Sequence, residues 1–288
     1  METKEVSRNF IKSPLSRFAK GIIDRTAKAL PRTAAGRYFC QQVLDRAMSR
    51  EEIVHHGSNR LVFAVPNWLS LYRAKTFATK EPDTLEWIDA LPEGSVLWDI
   101  GANVGIYTIY AAKVRKCKVF AFEPSVFNLE LLARNIFLNG LQQQVTIVPL
   151  ALSDKVGADL FKLTTMQWGG ALSTFSQDFD NNGEPIETIF EYQTAGVSMT
   201  EAASRLMIQQ PQFIKIDVDG MEHFILRGGA EILAKADSVL VEINDQFQRQ
   251  AAESASCLKR AGLSLRKKCD LGVIGQFNQL WVRADKRN

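Results

Sequence analysis

From about residue 60 onwards, short apolar runs alternate with stretches in which apolar residues recur at helical spacing. Uninterrupted apolar runs of this length are typical of strands buried on both faces of a sheet. Strands separated by helices predict right-handed crossovers and a mostly parallel sheet with helices on both faces. The predicted strands are 60–65, 95–100, 118–123, 145–152, 213–218 and 238–243; the predicted helices are 84–91, 104–114, 125–138, one ending at 236 and one ending at 261. The segments 263–268 and 279–283 predict a strand pair that closes the sheet as a hairpin.

Residues 153–200 interrupt this alternation. The segments 158–163 and 172–175 predict a short strand pair, 178–187 is an acidic loop, and Ser198-Met-Thr-Glu201 is a capping box that opens a helix. Insertions near strand ends of such sheets lie over the ligand crevice. Within this one, Trp168-Gly169-Gly170-Ala171 predicts a lid whose indole stacks on a sugar; the alternative is an ordinary hairpin turn.

The N-terminal segment differs from the rest of the chain in that it predicts helices without intervening strands. Apolar residues at helical spacing predict one helix that begins at Ser13-Pro14 and ends before Pro31, and a second over 33–49. We expect these helices to pack on the main domain. The alternative is a basic amphipathic helix that makes weak peripheral contact with a membrane. The predicted division is a basic helical extension over residues 1–58 and a main domain over 59–288.

Composition and charge narrow the class of protein. The chain has 288 residues, of which 46% are hydrophobic and 23% charged, as in ordinary globular proteins. Residues 1–50 hold eleven basic and four acidic side chains, a net charge of +7. The remaining residues hold 24 basic and 28 acidic side chains, a net charge of −4. A main domain of this charge does not indicate a nucleic-acid partner.

The spacing of the cysteines and the hydropathy of the chain indicate the cellular compartment of the protein. The four cysteines show no Cys-x-x-Cys spacing, which favours reduced thiols. No run of 18 apolar residues and no signal-peptide pattern is present in the sequence. The sequence therefore predicts a cytoplasmic protein.

The most specific feature is the loop Asp99-Ile-Gly101-Ala-Asn103-Val-Gly105, which follows a predicted strand and opens a helix. Its glycines permit a tight turn and close approach of a ligand. The G-x-x-x-G spacing differs from the G-x-G-x-x-G of dinucleotide-binding loops, which disfavours a hydride-transferring dehydrogenase. The acidic Asp99 suits a ligand with a cationic amine rather than a phosphate. A tight turn without a ligand is the alternative for the loop taken alone.

A second acidic residue, Glu123, ends the next predicted strand about twenty residues later. A carboxylate in this place can accept hydrogen bonds from the 2′ and 3′ hydroxyls of a ribose. Together the two features predict an adenosine-type ligand that carries an amine.

The motifs as a set resemble the FkbM family of class I S-adenosylmethionine-dependent methyltransferases, over about residues 60–288. They are Glu81-Pro82 before a helix, VLWDIGANVGIYTI, VFAFEPS with the following Asn135, ALSD at 151–154, and FIKIDVDGMEHFILRGG at 213–229. The resemblance implies a Rossmann-like class I fold with a seven-stranded sheet and bound S-adenosylmethionine. It also implies methylation of a hydroxyl on a sugar, glycan or natural-product acceptor. Asp219 departs from the family pattern, which more often has Glu.

The resemblance also assigns residues to the cofactor. Asp99, Gly101, Asn103 and Gly105 are assigned to its amino-acid end, and Glu123 to its ribose. For Asp154 two interpretations stay open: a contact to the adenine amine, or a cap of the local turn.

The candidate catalytic residues follow the predicted strand 213–218. Asp217 stands at the carboxyl end of this strand, where ligands bind in open α/β sheets. It is expected to act as base or substrate-orienting carboxylate with a pKa raised by burial; a structural pair with Lys215 is the alternative. Asp219, Glu222 and His223 are further candidates. Asp217 and Asn244-Asp245 could converge on Mg²⁺ or could equally orient substrate, and no His/Cys cluster suggests zinc, so no metal is predicted.

Two other functions remain open at this level. One is N-methylation of a protein or nucleic acid, although the Asn/Asp-Pro-Pro-Tyr/Phe segment of amino-nucleobase methyltransferases is absent from the sequence. The other is a non-catalytic module that binds S-adenosylmethionine. The intact Asp99–Gly105 loop argues against loss of cofactor binding, but it says nothing about turnover.

Overall fold

The structure is a computed structural model that describes residues 14–283. The chain forms two compact units, one ending at Arg50 and the other beginning at Glu51. The first unit contains helix α1 (Pro14–Ala29), a 3₁₀ turn (Leu30–Arg32) and helix α2 (Ala34–Met48). Thr33 caps α2, because its hydroxyl accepts the N–H of Gly36 at 3.0 Å. The predicted cap at Ser13 lies outside the described residues.

The second unit contains the alternating strands and helices. Its strands are β1 (Glu51–His56), β2 (Asn59–Ala64), β3 (Val96–Ile100), β4 (Lys118–Phe122), β5 (Val145–Val148), β6 (Ala151–Leu152), β7 (Gly157–Leu163), β8 (Ser173–Phe175), β9 (Phe190–Val197), β10 (Phe213–Ile216), β11 (Ser238–Asn244), β12 (Leu263–Asp270) and β13 (Gln276–Arg283). Its helices are α3 (Trp68–Lys75), α4 (Phe77–Lys80), α5 (Pro82–Asp89), α6 (Ile106–Val114), α7 (Val126–Asn139), α8 (Met199–Arg205), α9 (Glu222–Arg227), α10 (Ala230–Leu233) and α11 (Gln248–Arg260).

The main sheet has seven strands in the order β12-β13-β11-β10-β3-β4-β5. Strands β11, β10, β3, β4 and β5 are parallel, and β13 runs antiparallel to both β11 and β12. The predicted seven-stranded, mostly parallel sheet with a closing hairpin is therefore confirmed. The order reverses between β3 and β10, and ligands bind beyond the strand ends at such a switch point.

Each face of the sheet has its own hydrophobic core, because successive side chains of a strand point to opposite sides. Leu97 of β3 and Leu240 of β11 pack on one side with Ile109 of α6. Trp98 of β3 and Val239 of β11 pack on the other side. The same alternation determines to which face of the sheet each polar residue of these strands points.

A second sheet, in the order β6-β9-β7-β8, occupies the insertion. The predicted strand pair within it is present as β7 and β8. The single strand expected over 145–152 is wrong. Pro149 has no N–H to donate to a ladder, so β5 ends at Val148 and β6 belongs to the second sheet.

Further elements also differ from the prediction, and helices α3 and α4 were not predicted. Strands β1 and β9 carry many exposed polar side chains and give no apolar run. The helix expected to end at 236 is two short helices, α9 and α10, separated by Gly228 and Gly229. A Cβ on Gly228 would lie 2.4 Å from the carbonyl oxygen of Ser153, and one on Gly229 would lie 1.8 Å from Cε of Met199. The backbone oxygen of Ser153 requires glycine at 228, whereas the flexible end of the Met199 side chain can move away from a Cβ at 229.

Candidate active site

The loop after β3 is shaped by two glycines in the left-handed region. Gly101 has φ +80°, and a Cβ on it would lie 1.9 Å from the carbonyl oxygen of Asp217. Gly105 has φ +84° and immediately precedes α6. The loop can therefore lie against the end of β10 because residue 101 has no side chain.

Glu123 joins this loop to the end of β4. The N–H of Asn103 donates to its Oε2 at 2.8 Å, and the N–H of Ser125 donates to its Oε1 at 2.7 Å. The side chain is buried, and burial raises the pKa of Glu123 to about 7 although both hydrogen bonds oppose the rise. Each oxygen keeps acceptor capacity for a further donor such as a ribose hydroxyl.

A first cavity, partly open to solvent, lies beyond the ends of β3, β4 and β10. Its acidic lining is formed by Glu123, Asp217 and Asp219. The apolar part of its lining includes Phe122, Leu150, Phe161, Phe175, Met221 and Ile225. Apolar walls beside a hydroxyl-accepting carboxylate suit a nucleoside.

A second cavity adjoins the first through Gly101, Asn103 and Asp217. Its floor includes Asp99, which is 1% exposed. The hydroxyl of Thr108 donates to Oδ2 of Asp99, whereas Oδ1 is buried without a hydrogen-bond partner among the described residues. Burial raises the pKa of Asp99, against the opposing charge of Lys215. An orphaned carboxylate oxygen here fits the cationic amine of S-adenosylmethionine.

Asp217 lies where the two cavities meet. The ammonium of Lys215 donates to its Oδ2 at 2.9 Å, so the structural pair considered above does form. The Asp217 side chain is nevertheless 28% exposed, whereas that of Lys215 is only 4% exposed. Burial alone would raise the pKa of Asp217, but Lys215, with Lys80 and Arg73, lowers it to about 2. The expected upward shift is therefore wrong, and Asp217 is an ionised carboxylate.

The other candidate catalytic residues lie in different surroundings. Asp219 lines the first cavity, and its Oδ2 accepts the N–H of Leu172 at 2.6 Å. Burial and the charge of Asp217 raise the pKa of Asp219 to about 6. Its backbone has φ +57°, a conformation in which Asp is more common than Glu. Asp in place of the family's usual Glu thus gives a shorter carboxylate, which accepts a hydrogen bond from the backbone of the insertion at Leu172.

Glu222 and His223 line neither cavity. Glu222 accepts the N–H groups of Val218 and Gly220, and burial raises its pKa to about 7. His223 is fully buried, its ring centroid is 4.1 Å from that of Phe224, and both its ring nitrogens lack partners within the described part of the chain. Burial lowers the pKa of His223 to about 4. Both side chains are enclosed by protein.

Asp154 is also apart from the cavities. Its Oδ2 accepts the guanidinium of Arg227 at 2.6 Å, and Asp154 lines neither cavity. The indole of Trp168 packs against the cluster of Ala64, Val104 and Leu131 and donates to Glu130 at 3.1 Å, while Gly170 and Ala171 line the first cavity. The predicted indole lid is therefore not the arrangement found.

Residues 14–283 contain no group of three His, Cys, Asp or Glu arranged to hold a metal ion. The side-chain amide of Asn244 donates to the carbonyl of Asn181 at 2.9 Å, and Asp245 pairs with Lys268. All four cysteines are free.

Several side chains of the second cavity were not predicted from the sequence. They are Arg73, Lys80 and Tyr107, with Glu81 known only as part of a motif. Burial and the nearby charge of Glu81 raise the pKa of Tyr107, whose ring centroid is 5.2 Å from Nζ of Lys215. Arg73 and Lys80 stand on short helices before β3 and share no motif with the loop, so no sequence signal identified them.

Replacing Glu123 with Ala is expected to weaken binding of S-adenosylmethionine about tenfold or more. The change removes the acceptors for two ribose hydroxyls, each worth roughly 1 kcal/mol. Calorimetry at pH 8, where Glu123 is ionised, measures the dissociation constant. Glu231→Ala, an exposed position on α10, is the control. Wild-type affinity in a folded Glu123→Ala protein would refute the ribose assignment.

Comparison with known proteins identifies the family of this chain. A methyltransferase FkbM domain matches residues 99–264, which is more than half of the chain. The chain belongs to the FkbM methyltransferase family. It is thus a methyltransferase, and its cofactor is S-adenosylmethionine. The residues that fit this cofactor are those of the Asp99–Gly105 loop and Glu123, which border the two adjoining cavities.

Two curated relatives and two solved structures are similar to the chain. Hexuronic acid methyltransferase AglP of Haloferax volcanii is 25% identical over 184 residues, which cover 63% of this chain and 70% of that protein. Methyltransferase sdnD of Sordaria araneosa is 34% identical over 68 residues, 23% of this chain and 26% of that protein. TYW2 of M. jannaschii, solved in complex with AdoMet, covers 81% of this chain and 86% of its own at 14% identity, with a TM-score of 0.43. Precorrin-6y C5,15-methyltransferase of Geobacter metallireducens covers 73% and 87% at 14% identity, with a TM-score of 0.42.

Proposed function

We propose that this protein transfers a methyl group from S-adenosylmethionine to a hydroxyl oxygen of a sugar, glycan or natural-product acceptor. The observation that carries the proposal is Asp217, an ionised and partly exposed carboxylate at the junction of the two cavities. The similarity to a hexuronic acid methyltransferase supports a sugar acceptor.

The roles of individual residues follow from their positions. S-adenosylmethionine, when bound, supplies an electrophilic methyl group. Glu123 holds the ribose, and Asp99 holds the amine. Asp217 accepts a hydrogen bond from the acceptor hydroxyl and so orients its oxygen for in-line attack. Because the hydroxyl proton becomes strongly acidic as the new O–C bond forms, even a carboxylate of low pKa can accept it.

Lys215 has a positioning role in this scheme. Its ammonium is 2.9 Å from Oδ2 of Asp217 and is almost fully buried. It keeps the carboxylate charged and fixes its orientation, while Oδ1 of Asp217 remains for the acceptor.

The two other functions make different predictions. N-methylation of nucleic acid needs a basic surface, and the net charge of −4 after residue 50 does not favour one. A non-catalytic binding module needs no carboxylate at the junction of two cavities. Mass spectrometry of extracts from a strain that lacks this chain tests the choice. The proposal predicts one glycan or small molecule that is lighter by a 14-dalton methyl increment; a deficit confined to protein or nucleic acid would contradict it.

We further propose that the enzyme works in the cytoplasm and, in place of the packing expected from the sequence, that its first unit makes weak peripheral contact with anionic lipid. Large apolar side chains of α1 and α2 are exposed, among them Phe18 at 69%, Ile22 at 51% and Phe39 at 56%. Lys20 lies on the face of α1 opposite Phe18 and Ile22, and Lys28, in the last turn, lies on the flank of the apolar stripe. An apolar stripe beside basic residues suits an anionic membrane surface. No helix among residues 14–283 is long and apolar enough to cross a membrane.

Vesicle sedimentation tests this contact. We expect the full chain to bind phosphatidylserine vesicles at low salt and to dissociate as salt is raised, since exposed charges are screened. Phe18→Ser combined with Ile22→Ser should weaken binding at least tenfold, because both lose apolar area available for burial in the interface. Ile274→Ser, at an exposed apolar position of the second unit, is the control. Absence of binding, or binding that the double variant leaves unchanged, would favour packing of the helices instead.

A further inference from the structure

The second cavity contains three basic side chains, and two of them are paired. Lys215 pairs with Asp217 at 2.9 Å, and Lys80 pairs with Glu81 at 2.8 Å. Arg73 forms no ion pair with any residue in the described range 14–283. The cavity thus holds one guanidinium that makes no direct ion pair among the described residues, although its charge acts on nearby Asp217.

Arg73 is held in place by its Nε. This atom donates to the carbonyl oxygen of Gly169 at 2.8 Å, and Gly169 has φ +79°. Asn67 caps the start of α3 by accepting the N–H of Ser70, and it also donates to the carbonyl of Trp168 at 3.0 Å. The helix that carries Arg73 is therefore tied to the same turn that its Nε binds.

The two Nη groups of Arg73 make no hydrogen bond to the described residues. A guanidinium fixed through Nε leaves a pair of N–H donors that matches the two oxygens of a carboxylate. On the floor of the same cavity, Oδ1 of Asp99 is an acceptor without a donor. The cavity thus offers an unfilled donor pair and an unfilled acceptor.

We propose that Arg73 binds a ligand carboxylate in the second cavity. The inference rests on the proposed function, which places the amino-acid end of S-adenosylmethionine in the second cavity and the acceptor hydroxyl at Asp217. Two carboxylates meet the requirement: the one at the amino-acid end of S-adenosylmethionine, and the one of a uronic acid acceptor. Arg73 lies before residue 99, outside the segment that matches the family domain.

Calorimetry without turnover separates the two sources. S-adenosylmethionine is compared with its decarboxylated analogue, and glucuronate is compared with glucose in the presence of S-adenosylhomocysteine. Loss of a bidentate charged contact in Arg73→Gln should weaken binding of the carboxylate-bearing ligand roughly ten- to a hundred-fold. The ligand that lacks the carboxylate should bind as it does to the wild type.

A selective loss for S-adenosylmethionine identifies the cofactor carboxylate, and a selective loss for glucuronate identifies the acceptor; either supports the proposal. The proposal is overturned if Arg73→Gln leaves the affinity for both S-adenosylmethionine and glucuronate unchanged. It is also overturned if the substitution weakens binding of the decarboxylated analogue as much as binding of S-adenosylmethionine. Lys75→Gln, an exposed cation on the same helix, is the control. If Arg73→Gln does not fold, Arg73→Lys keeps the charge, removes the donor pair and should show a smaller selective loss. Calorimetry tests the carboxylate contact of Arg73, and the methylation assay tests the proposed function. Either measurement can contradict its own claim while the other supports its claim.

Discussion

Replacing Asp217 with Asn is expected to lower the rate of methyl transfer by about 10²- to 10⁴-fold. The amide keeps the shape of the side chain but loses the charge and the ability to take the acceptor proton. Affinity for S-adenosylmethionine should change little, because Glu123 and Asp99 hold the cofactor in this account. Single-turnover rates with labelled cofactor, together with calorimetry, measure the two quantities separately.

The same substitution leaves Lys215 buried beside a neutral partner, so stability must be measured as well. Asp217→Glu keeps the charge and displaces it by one methylene, and it should fold and also lose turnover. Asp245→Asn, an exposed carboxylate at the end of the neighbouring strand, is the matched control. EDTA and added Mg²⁺ should leave wild-type turnover unchanged; a metal requirement would reassign Asp217 as a ligand. Full turnover in folded Asp217→Asn would exclude both roles.

The ionisation of Asp217 also predicts a pH dependence. Its pKa in the folded protein is about 2, below the ordinary value of 3.8. A lowered pKa means that the stabilising pair with Lys215 is fully present above about pH 4 and is lost as the pH falls towards 2. Turnover should accordingly show no loss from Asp217 at any pH from 5 upwards.

Replacing Gly101 with Ala is expected to abolish cofactor binding and to destabilise the fold by roughly 2–5 kcal/mol. A left-handed φ costs a non-glycine residue about 1–2 kcal/mol, and a forced displacement in a packed region costs about 1–3 kcal/mol more. The second contribution arises because the new Cβ would lie 1.9 Å from the carbonyl oxygen of Asp217. Urea unfolding and calorimetry with S-adenosylmethionine measure both effects.

Gly94 provides a matched control for this prediction. It has φ +77°, close to that of Gly101, but a Cβ on it would meet no atom within 4 Å. Gly94→Ala should therefore show the backbone cost alone and bind cofactor normally. Equal destabilisation by the two substitutions would show that the close approach of the loop to β10 is not what requires glycine at 101.

Features encoded in consecutive residues could be predicted from the sequence. The turn from β3 into α6 needs Gly101 and Gly105, and Glu123 follows β4 directly, so each motif lies within one strand-to-helix unit. The apolar strands were predictable for the same reason. Pro149 was a visible signal for the break between β5 and β6, because proline cannot donate to a sheet ladder.

Features that depend on distant segments could not be predicted. Lys215 is two residues from Asp217 and was recognisable as its partner, but Lys80 and Arg73 come from helices far earlier in the chain. The environments of Glu222 and His223 depend on how α9 packs, which the sequence pattern does not determine. Strand β9 is largely exposed and polar, so it carries no apolar signal.

The transfer of label to an acceptor oxygen tests the central claim most directly. Methyl-labelled S-adenosylmethionine is incubated with the full chain and an extract of a strain that lacks it, and the labelled product is located by mass spectrometry. The account predicts label on a hydroxyl oxygen of one sugar-containing or natural-product molecule, with none transferred by Asp217→Asn. Label on protein or nucleic acid, or no transfer by a chain that binds the cofactor, would contradict it.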